Sequence, residues 1–384
     1  MEFQGSSVQN AIYVSGEGAW PIAPDAWEAR AREVLEPGPF GYIAGGAGSE
    51  ATVRANREAF ERRRLRPRML TGNRERDLSV EVLGTRSPGP FLLAPIGVLS
   101  IAHPDGELAV ARAAAATGVP LVLSSAASHS IEEIAEAMDD APRWFQLYWV
   151  NDREIATSFV RRAETAGYGA IVVTLDTLTL GWRPRDLQNA YLPFLSGEGC
   201  AQFFSDPVFR SRLAKPPEED LLVAAGTMLA TFPNVGLTWE DLRWLREQTE
   251  LPLLVKGVLR GDDALLAREA GVDGIVVSNH GGRQVDGSVA ALDALVEVRD
   301  ALGRDAVVLM DGGIRGGADV LKALALGADA VLLGRPYAYG LAVGGQEGVE
   351  TVIRHVLAET DLTLALLGGK IARDLDPSWI AASS

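Results

Sequence analysis

The sequence predicts an α/β protein with the architecture of a (β/α)8 TIM barrel, folded as a single domain over residues 1–384. From Pro90 onward, eight short apolar runs alternate with amphipathic helical patterns, which is the element count of this barrel. Most runs are nearly continuous, as expected for parallel strands covered on both faces. A doubly wound open sheet is the alternative, but it would carry a GxGxxG motif after its first strand, and this motif is absent there.

The predicted elements follow one another in chain order. The strands lie at residues 91–98, 120–125, 143–149, 170–176, 252–258, 274–280, 306–313 and 331–337. Helical patterns such as GELAVARAAAATG and DREIATSFVRRAETAG occupy the intervals between them. Ser130 with Glu133, and Thr238 with Asp241, have the spacing of a capping box, so two of the helices are expected to begin there.

Three regions are distinguished within the domain. Residues 1–89 precede the barrel and are predicted to form a helical N-terminal extension with glycine-rich breaks, and residues 90–369 form the barrel itself. After strand 4, residues 177–237 form an insertion, whereas a βα loop usually has ~2–6 residues. Because this insertion lies on the face where such barrels carry their sites, we expect it to act as a lid.

Composition excludes several classes of function. The formal net charge of −15 argues against a nucleic-acid partner, which would require a basic face. The single cysteine, Cys200, excludes an internal disulfide, and the first residues resemble no signal peptide, so we expect a cytoplasmic protein. No apolar run approaches the ~20 residues of a membrane-spanning helix, and no metal site is predicted.

Polar residues are concentrated where the predicted strands end. Apolar strands tolerate such groups only when they have partners, which indicates a large polar ligand at the mouth of the barrel. The residues concerned are Ser124, Gln146, Tyr148, Thr174, Asp176, Lys256, Ser278, His280, Asp311 and Arg335.

Two glycine-rich turns indicate a phosphate site. DGGIRGGAD follows strand 7 and LLGRP follows strand 8, where barrels commonly bind a phosphate with backbone N–H groups and a helix N-terminus. Glycines alone could simply turn the chain. Arg315 and Arg335 favour the phosphate interpretation, since each could add a charge-assisted hydrogen bond.

His280 is the candidate base. Among the four histidines it alone ends a predicted strand, in SNHGGRQVDG, and Arg283 follows three residues later. A lone histidine is more often structural than catalytic. Here Asp176 on another strand could orient it and stabilise its charge, and Arg283 could hold a carboxylate beside it. A base beside a carboxylate clamp suits proton abstraction from a hydroxy acid.

These residues carry a family resemblance. The segments SNHGGRQ (278–284), DGGIR (311–315) and QLY (146–148) resemble the FMN-dependent α-hydroxy-acid oxidising family, over nearly the whole chain from Tyr42 to about Gly369. The segments GWRPRDL (181–187) and DPVF (206–209), with the long insertion, are most similar to its lactate 2-monooxygenase branch.

The resemblance implies FMN as the cofactor and a small anionic 2-hydroxy acid as the substrate. It places FMN at Ala94, Pro95, Ile96, Gly97, Ser124, Gln146, Thr174, Lys256, Ser278, Asp311, Gly312, Gly313, Arg315, Gly334 and Arg335. It places the substrate at Tyr42, Tyr148, Arg183, His280 and Arg283. The two arginines would clamp the carboxylate, Tyr42 would add a hydroxyl group, and Tyr148 would contact the α-oxygen.

The resemblance also implies a mechanism and an assembly. The catalytic residues would be His280 as base, Asp176 stabilising its imidazolium form, Tyr148 and Arg283, while Lys256 would favour negative charge on the reduced flavin. Oxygen is the expected electron acceptor. Relatives imply a homotetramer or homo-octamer.

Gly97 bears on the outcome of the reaction. Oxidases of the family commonly carry alanine here, and the monooxygenase branch carries glycine. We expect the missing methyl group to leave room for product and reduced oxygen together, so that lactate yields acetate, CO2 and water.

Other readings of the sequence remain open. One is an oxidase that releases keto acid and peroxide, acting on lactate, glycolate or a bulkier substrate such as mandelate; Trp149, Leu180 and Trp182 are large residues expected near the site. Another is a non-catalytic flavin-binding protein, and a third is a barrel that binds a nucleotide phosphate.

Overall fold

The computed structural model describes residues 4–15 and 20–381. Eight parallel strands close into a barrel in chain order, with the last strand paired to the first, so the predicted architecture is confirmed. The strands are β1 (Phe91–Leu93), β2 (Leu121–Ser124), β3 (Arg143–Tyr148), β4 (Ile171–Thr174), β5 (Leu253–Val258), β6 (Gly274–Val277), β7 (Val307–Met310) and β8 (Ala330–Leu333). Each lies within or overlaps a predicted run; β1, β6, β7 and β8 end three to five residues earlier than predicted, and the other four end within two residues of the predicted position.

Helices surround the barrel. The helices that follow strands β1 to β8 are Gly106–Thr117, Ile131–Met138, Arg153–Thr165, Trp239–Arg246, Gly261–Glu269, Ala291–Leu302, Gly317–Ala325 and Arg335–Leu367. Capping boxes begin two of them, at Ser130 and Thr238, as predicted. The last helix is interrupted at Gly344 and Gly345, where the backbone is not helical. Short 3-10 turns occur at Leu99–Ile101, His280–Gly282, Ala372–Asp374 and Pro377–Trp379.

Apolar side chains fill both layers of the barrel. The interior of the barrel is packed by one set of strand residues, including Leu92, Val122, Trp144, Leu254 and Leu309. The alternate strand residues face the surrounding helices and form the larger cluster. Because side chains on both faces of each strand are buried, the nearly continuous apolar runs in the sequence are explained.

The N-terminal extension is helical only in its first part. Its helices are Gly5–Ser15, Pro24–Val34, Pro37–Ala44 and Ala51–Arg62. An antiparallel ribbon then pairs Val80–Val82 with Thr85–Ser87, which the prediction of a helical extension missed. Leu83 and Gly84 both have positive φ, as a tight hairpin turn requires, and Thr85 accepts a hydrogen bond from the Trp144 indole inside the barrel (2.8 Å). The ribbon therefore closes the end of the barrel opposite the site.

The insertion after β4 is folded rather than extended. It contains the short helices Pro184–Gln188, Ala201–Phe204, Pro207–Arg210 and Leu221–Thr231 and a 3-10 turn at Pro193–Ser196. Its middle part is fixed to the barrel: Asp206 is fully buried and accepts a hydrogen bond from Ser158 (2.6 Å), and Phe203 packs edge-on against Phe159. From the insertion, Thr177, Leu180, Arg183, Phe194 and Phe232 line the cavity at the barrel mouth, and its movement as a lid stays a prediction.

Within residues 4–15 and 20–381, the structure contains no helix with the combined length and apolarity needed to cross a membrane.

Candidate active site

A cavity opens at the carboxyl ends of the strands and encloses about 1030 Å³ of non-atom space, part of it open to solvent. The predicted site residues that line it are Tyr42, Ala94, Pro95, Ile96, Gly97, Tyr148, Arg183, Lys256, His280, Arg283, Asp311, Gly312, Gly313, Arg315, Gly334 and Arg335. The structure thus brings together residues that are up to 293 positions apart, from Tyr42 to Arg335.

His280 lies at the centre of a hydrogen-bonded group. Its Nδ1 is 2.7 Å from Asp176 Oδ1, and its Nε2 is 3.3 Å from the Tyr148 hydroxyl. A carboxylate only accepts hydrogen bonds, so Nδ1 carries the proton and the Nε2 lone pair faces the cavity and the tyrosine. His280 also has a positive φ of 56°, and its backbone N–H donates to Ser278 Oγ (3.0 Å). A strained backbone fixed in this way is a frequent property of functional sites.

The ionisation of this group is set by burial and by neighbouring charge. Burial lowers the pKa of His280 below 6.5, partly opposed by Asp176, so the imidazole is neutral and able to accept a proton at neutral pH. Burial alone would raise the pKa of Asp176, but His280 and Lys256 outweigh it and lower that pKa. Burial raises the pKa of Tyr148 to about 12, so its hydroxyl remains a donor.

Lys256 is buried between two carboxylates. Its Nζ lies 3.4 Å from Asp311 Oδ2 and 3.8 Å from Asp176 Oδ2, and it donates to Ser278 Oγ (3.0 Å). Burial would lower its pKa, but the two carboxylates raise it, so the ammonium group stays charged. The next residue, Gly257, has a φ of 107°, and a Cβ there would lie 2.8 Å from the Asp176 backbone nitrogen. Glycine is therefore needed for Lys256 and Asp176 to approach each other.

Two arginines face the cavity beside His280. Arg283 Nη1 donates to the backbone carbonyls of Tyr42 (2.5 Å) and Gly45 (2.9 Å), and its guanidinium lies 5.1 Å from the centre of the Tyr42 ring. Arg183, on the insertion, donates to Gln284 Oε1 (2.9 Å). Burial and then the charge of Arg183 lower the pKa of Arg283 to about 9. A buried and a half-buried cation in mutual repulsion form a binding site for an anion such as a carboxylate.

A second basic pair, Arg315 and Arg335, lines the same cavity. Burial and then Arg335 lower the pKa of Arg315 to about 10, which again indicates an anion site. Gly312 and Gly313 have positive φ, so the β7 turn exposes backbone there. The Arg335 guanidinium donates to the carbonyls of Ile43, Gly45 and Gly281. Its predicted contact with phosphate stays a prediction.

Four of the predicted cofactor residues lie behind the cavity wall. Ser124, Gln146, Thr174 and Ser278 are all buried. Ser124 Oγ donates to Gln146 Oε1 (3.0 Å), and Gln146 Nε2 donates to Thr174 Oγ1 (2.8 Å). These hydrogen-bonded side chains form a polar row across three neighbouring strands. The row follows from the strand register, which pairs Ser124 of β2 with Gln146 of β3 and places β3 beside β4.

The structure adds residues that the sequence did not indicate. Thr177 lines the cavity and contacts both Asp176 and His280. Gln284 donates to the carbonyls of Asp176 (3.0 Å) and Thr179 (2.9 Å), which ties the insertion to the His280 loop. The sequence did contain a signal for Gln284, because it is the last residue of the SNHGGRQ segment that also carries His280 and Arg283.

Apolar residues on the insertion form the outer wall. Leu180, as expected, lines the cavity, together with Phe194 and Phe232. Phe232 packs against Tyr148 with ring centres 5.0 Å apart. Two expected residues are elsewhere: Trp149 is buried against Trp244, and Trp182 is 73% exposed.

Gly97 requires a correction. A Cβ at this position would lie 2.6 Å from the Ala126 carbonyl oxygen and 2.9 Å from the Ala126 Cβ. The backbones are held together there by a hydrogen bond from Val98 N–H to the Ala126 carbonyl (2.9 Å). The expectation that the missing methyl group mainly leaves room for product was therefore wrong in its physical reason, because glycine here permits the loops after β1 and β2 to approach each other.

Among the residues that the structure describes, no group of three or more histidine, cysteine or carboxylate side chains has the arrangement of a metal site.

Comparisons with known proteins agree with this geometry. A family model for FMN-dependent dehydrogenases matches residues 31–382. The FMN-dependent alpha-hydroxy acid dehydrogenase qulF of Penicillium citrinum is 44% identical over 376 residues, 96% of this chain and 94% of that protein. The L-lactate oxidase of Lysinibacillus sphaericus is 43% identical over 355 residues, 92% of this chain and 91% of that protein. A structure of mandelate oxidase with 3,3-difluoro-2-hydroxy-3-phenylpropionic acid matches 95% of this chain and 100% of its own, with a TM-score of 0.82 and 39% identity.

Proposed function

This chain belongs to the family of FMN-dependent dehydrogenases, and we propose that it oxidises an L-2-hydroxy acid, with L-lactate as the first candidate and oxygen as the electron acceptor. The observation that carries the proposal is the position of His280, whose unprotonated Nε2 faces the same cavity as the Arg183 and Arg283 pair. A base beside a carboxylate clamp fits a substrate that loses a proton next to its carboxylate.

The residues of the cavity fit FMN. The half-buried Arg315, whose pKa is lowered to about 10, would provide a site for the phosphate. The charged Lys256, with the polar row behind the wall, provides partners for a polar ring system, while Ala94 and Ile96 provide an apolar surface. FMN, when bound, accepts the two electrons that leave the α-carbon of the substrate.

The protein side chains then have distinct roles. Arg183 and Arg283 orient the substrate by its carboxylate, and the Tyr148 hydroxyl, which stays protonated, donates to the α-oxygen. His280 takes a proton from the substrate at its Nε2 atom. Asp176 is ionised and 2.7 Å from Nδ1, so it stabilises the imidazolium as it forms.

The finer proposal concerns the fate of the product. In a lactate 2-monooxygenase, lactate and O2 give acetate, CO2 and water; in an oxidase they give pyruvate and hydrogen peroxide. The flanks of the insertion, which carry Arg183, Phe194 and Phe232, favour retention of the keto acid in the cavity and hence the monooxygenase. The names of relatives such as L-lactate oxidase favour the oxidase as the second candidate.

Product analysis distinguishes the two. The purified protein is incubated with L-lactate in air, and the products are measured by proton NMR with a parallel peroxide assay. Acetate without peroxide supports the monooxygenase, and pyruvate with equimolar peroxide supports the oxidase. Absence of flavin bleaching by L-lactate and by L-mandelate under anaerobic conditions would contradict the hydroxy-acid proposal itself.

Assembly and location are also proposals. We propose a homotetramer or homo-octamer, which the family resemblance supports and which light scattering of the purified holoprotein would measure, and a cytoplasmic location, which the single cysteine supports.

A further inference from the structure

Asp176 lies between two competing partners. Its Oδ1 is 2.7 Å from His280 Nδ1, whereas its Oδ2 is buried, has no hydrogen-bond partner among the described residues, and is 3.8 Å from Lys256 Nζ. Turning the carboxylate towards Lys256 would gain a short ion pair at the expense of the contact with His280. Some interaction must therefore hold the carboxylate on the histidine.

Thr177 provides this interaction. Its hydroxyl donates to Asp176 Oδ1 (2.8 Å) and lies 3.2 Å from His280 Nδ1. Because the hydroxyl has one proton and the carboxylate only accepts, the proton goes to Asp176 and a hydroxyl lone pair faces the Nδ1–H group. The side chain is buried in the cavity wall, with the residue 6% exposed, so water competes little for these bonds.

We propose that Thr177 is a positioning residue that keeps the Asp176 carboxylate on His280 and away from Lys256. Its second effect is on the tautomer: with two acceptors facing Nδ1–H, the Nε2 lone pair stays directed at the cavity. This role rests on the proposed function, in which His280 is the base. The contact with Gln284 does not replace it, because Gln284 donates only to the main-chain carbonyl of Asp176.

The titration of His280 reports this positioning. The charged and titratable groups that act on it are Asp176, Lys256, Arg183 and Tyr148. Asp176 is the only one of these that raises the pKa of the imidazole, while Lys256 and Arg183 lower it. If the carboxylate turns to Lys256, the imidazole loses its stabilising partner, and its pKa falls further.

The test uses Thr177→Val, which keeps the shape and removes the hydroxyl, and Thr177→Ser, which restores it. For Thr177→Val we expect kcat for L-lactate to fall about tenfold, KM to change less than about twofold, and the acid limb of kcat/KM to move to lower pH. In the holoprotein without substrate, ¹⁵N NMR of the imidazole, assigned with His280→Gln, should show the same downward shift. Thr177→Ser should return both readouts to the wild-type values.

Several results would overturn the proposal. An unchanged imidazole pKa in Thr177→Val would assign Thr177 a packing role only, and an upward shift would mean that Asp176 stays on His280 without it. If Thr177→Ser does not restore the wild-type pKa of the imidazole, the Thr177 hydroxyl does not position Asp176. If Thr177→Val does not fold, Thr177→Ala compared with Thr177→Ser gives the same contrast.

Failure of the proposed function is distinguishable from failure of this role. If no hydroxy acid reduces the wild-type protein, the function is wrong, yet the NMR titration of His280 in the variants still decides the role of Thr177.

Discussion

Replacement of Asp176 by Asn tests the electrostatic core of the site. The carboxylate oxygen is 2.7 Å from His280 Nδ1, which at an effective dielectric constant of about 20 corresponds to roughly 6 kcal/mol of attraction for the full imidazolium. If about half of this is realised during proton transfer, the loss is about 3 kcal/mol, or roughly 10²-fold in rate. The amide can also present its NH2 group to Nδ1, which favours the wrong tautomer and lowers the rate further, so we expect a loss of about 10²- to 10³-fold in kcat.

The assay is stopped-flow reduction of the bound flavin by L-lactate without oxygen, over a range of pH. Asp176→Asn removes the interaction that raises the pKa of His280, so the acid limb of its profile should move to lower pH while the rate falls. Asp311→Asn is the matched variant, since Asp311 contacts Lys256 but not His280; its acid limb should not move. A rate within about threefold of wild type, with an unmoved acid limb, would refute the reasoning.

Three further predictions concern the two anion sites and Gly97. Arg315→Met should weaken FMN binding at least about tenfold in a fluorescence titration, and unchanged affinity would remove Arg315 from the phosphate site. Arg283→Lys should raise KM for L-lactate about tenfold with a smaller change in kcat, whereas the exposed Arg260→Lys should leave KM unchanged; equal effects would contradict the clamp. Gly97→Ala should lower the thermal midpoint, because its Cβ would lie 2.6 Å from the Ala126 carbonyl oxygen. An unchanged thermal midpoint would show that the loops after β1 and β2 can move apart without loss of stability.

The barrel was predictable because its signal is local. Each strand is a short run such as IVVT in β4, and the fold then dictates that the polar residues after the runs meet at one face. His280, Asp176 and Lys256 were found by this rule alone. The antiparallel ribbon at Val80–Ser87 was missed because its strands are only three residues long, too short for a period-2 pattern to stand out.

The outer wall of the site was not predictable in the same way. Phe194 and Phe232 are far apart on an insertion with no repeating pattern, and their meeting above Tyr148 depends on how that insertion packs. Thr177 was missed for another reason: a threonine after a strand has many structural uses, and only the distances to Asp176 and His280 reveal its role. Gly257, by contrast, had a signal, since a glycine inside a strand often marks a close backbone approach.

The charge of the site supports the proposal that one cavity holds two anionic ligands. In an acidic chain of net charge −15, Arg283 and Arg315 are half-buried next to Arg183 and Arg335 respectively, and desolvation with this repulsion lowers the pKa of both. On the proposed function, the FMN phosphate would relieve one pair and the substrate carboxylate would relieve the other. The two pairs are adjacent, because Arg283 and Arg335 both donate to the Gly45 carbonyl and Arg335 also lowers the pKa of Arg283. A neutral analogue such as lactamide should therefore retain the hydroxyl contact with Tyr148 and still bind poorly, because it leaves the Arg183 and Arg283 pair without its counter-charge.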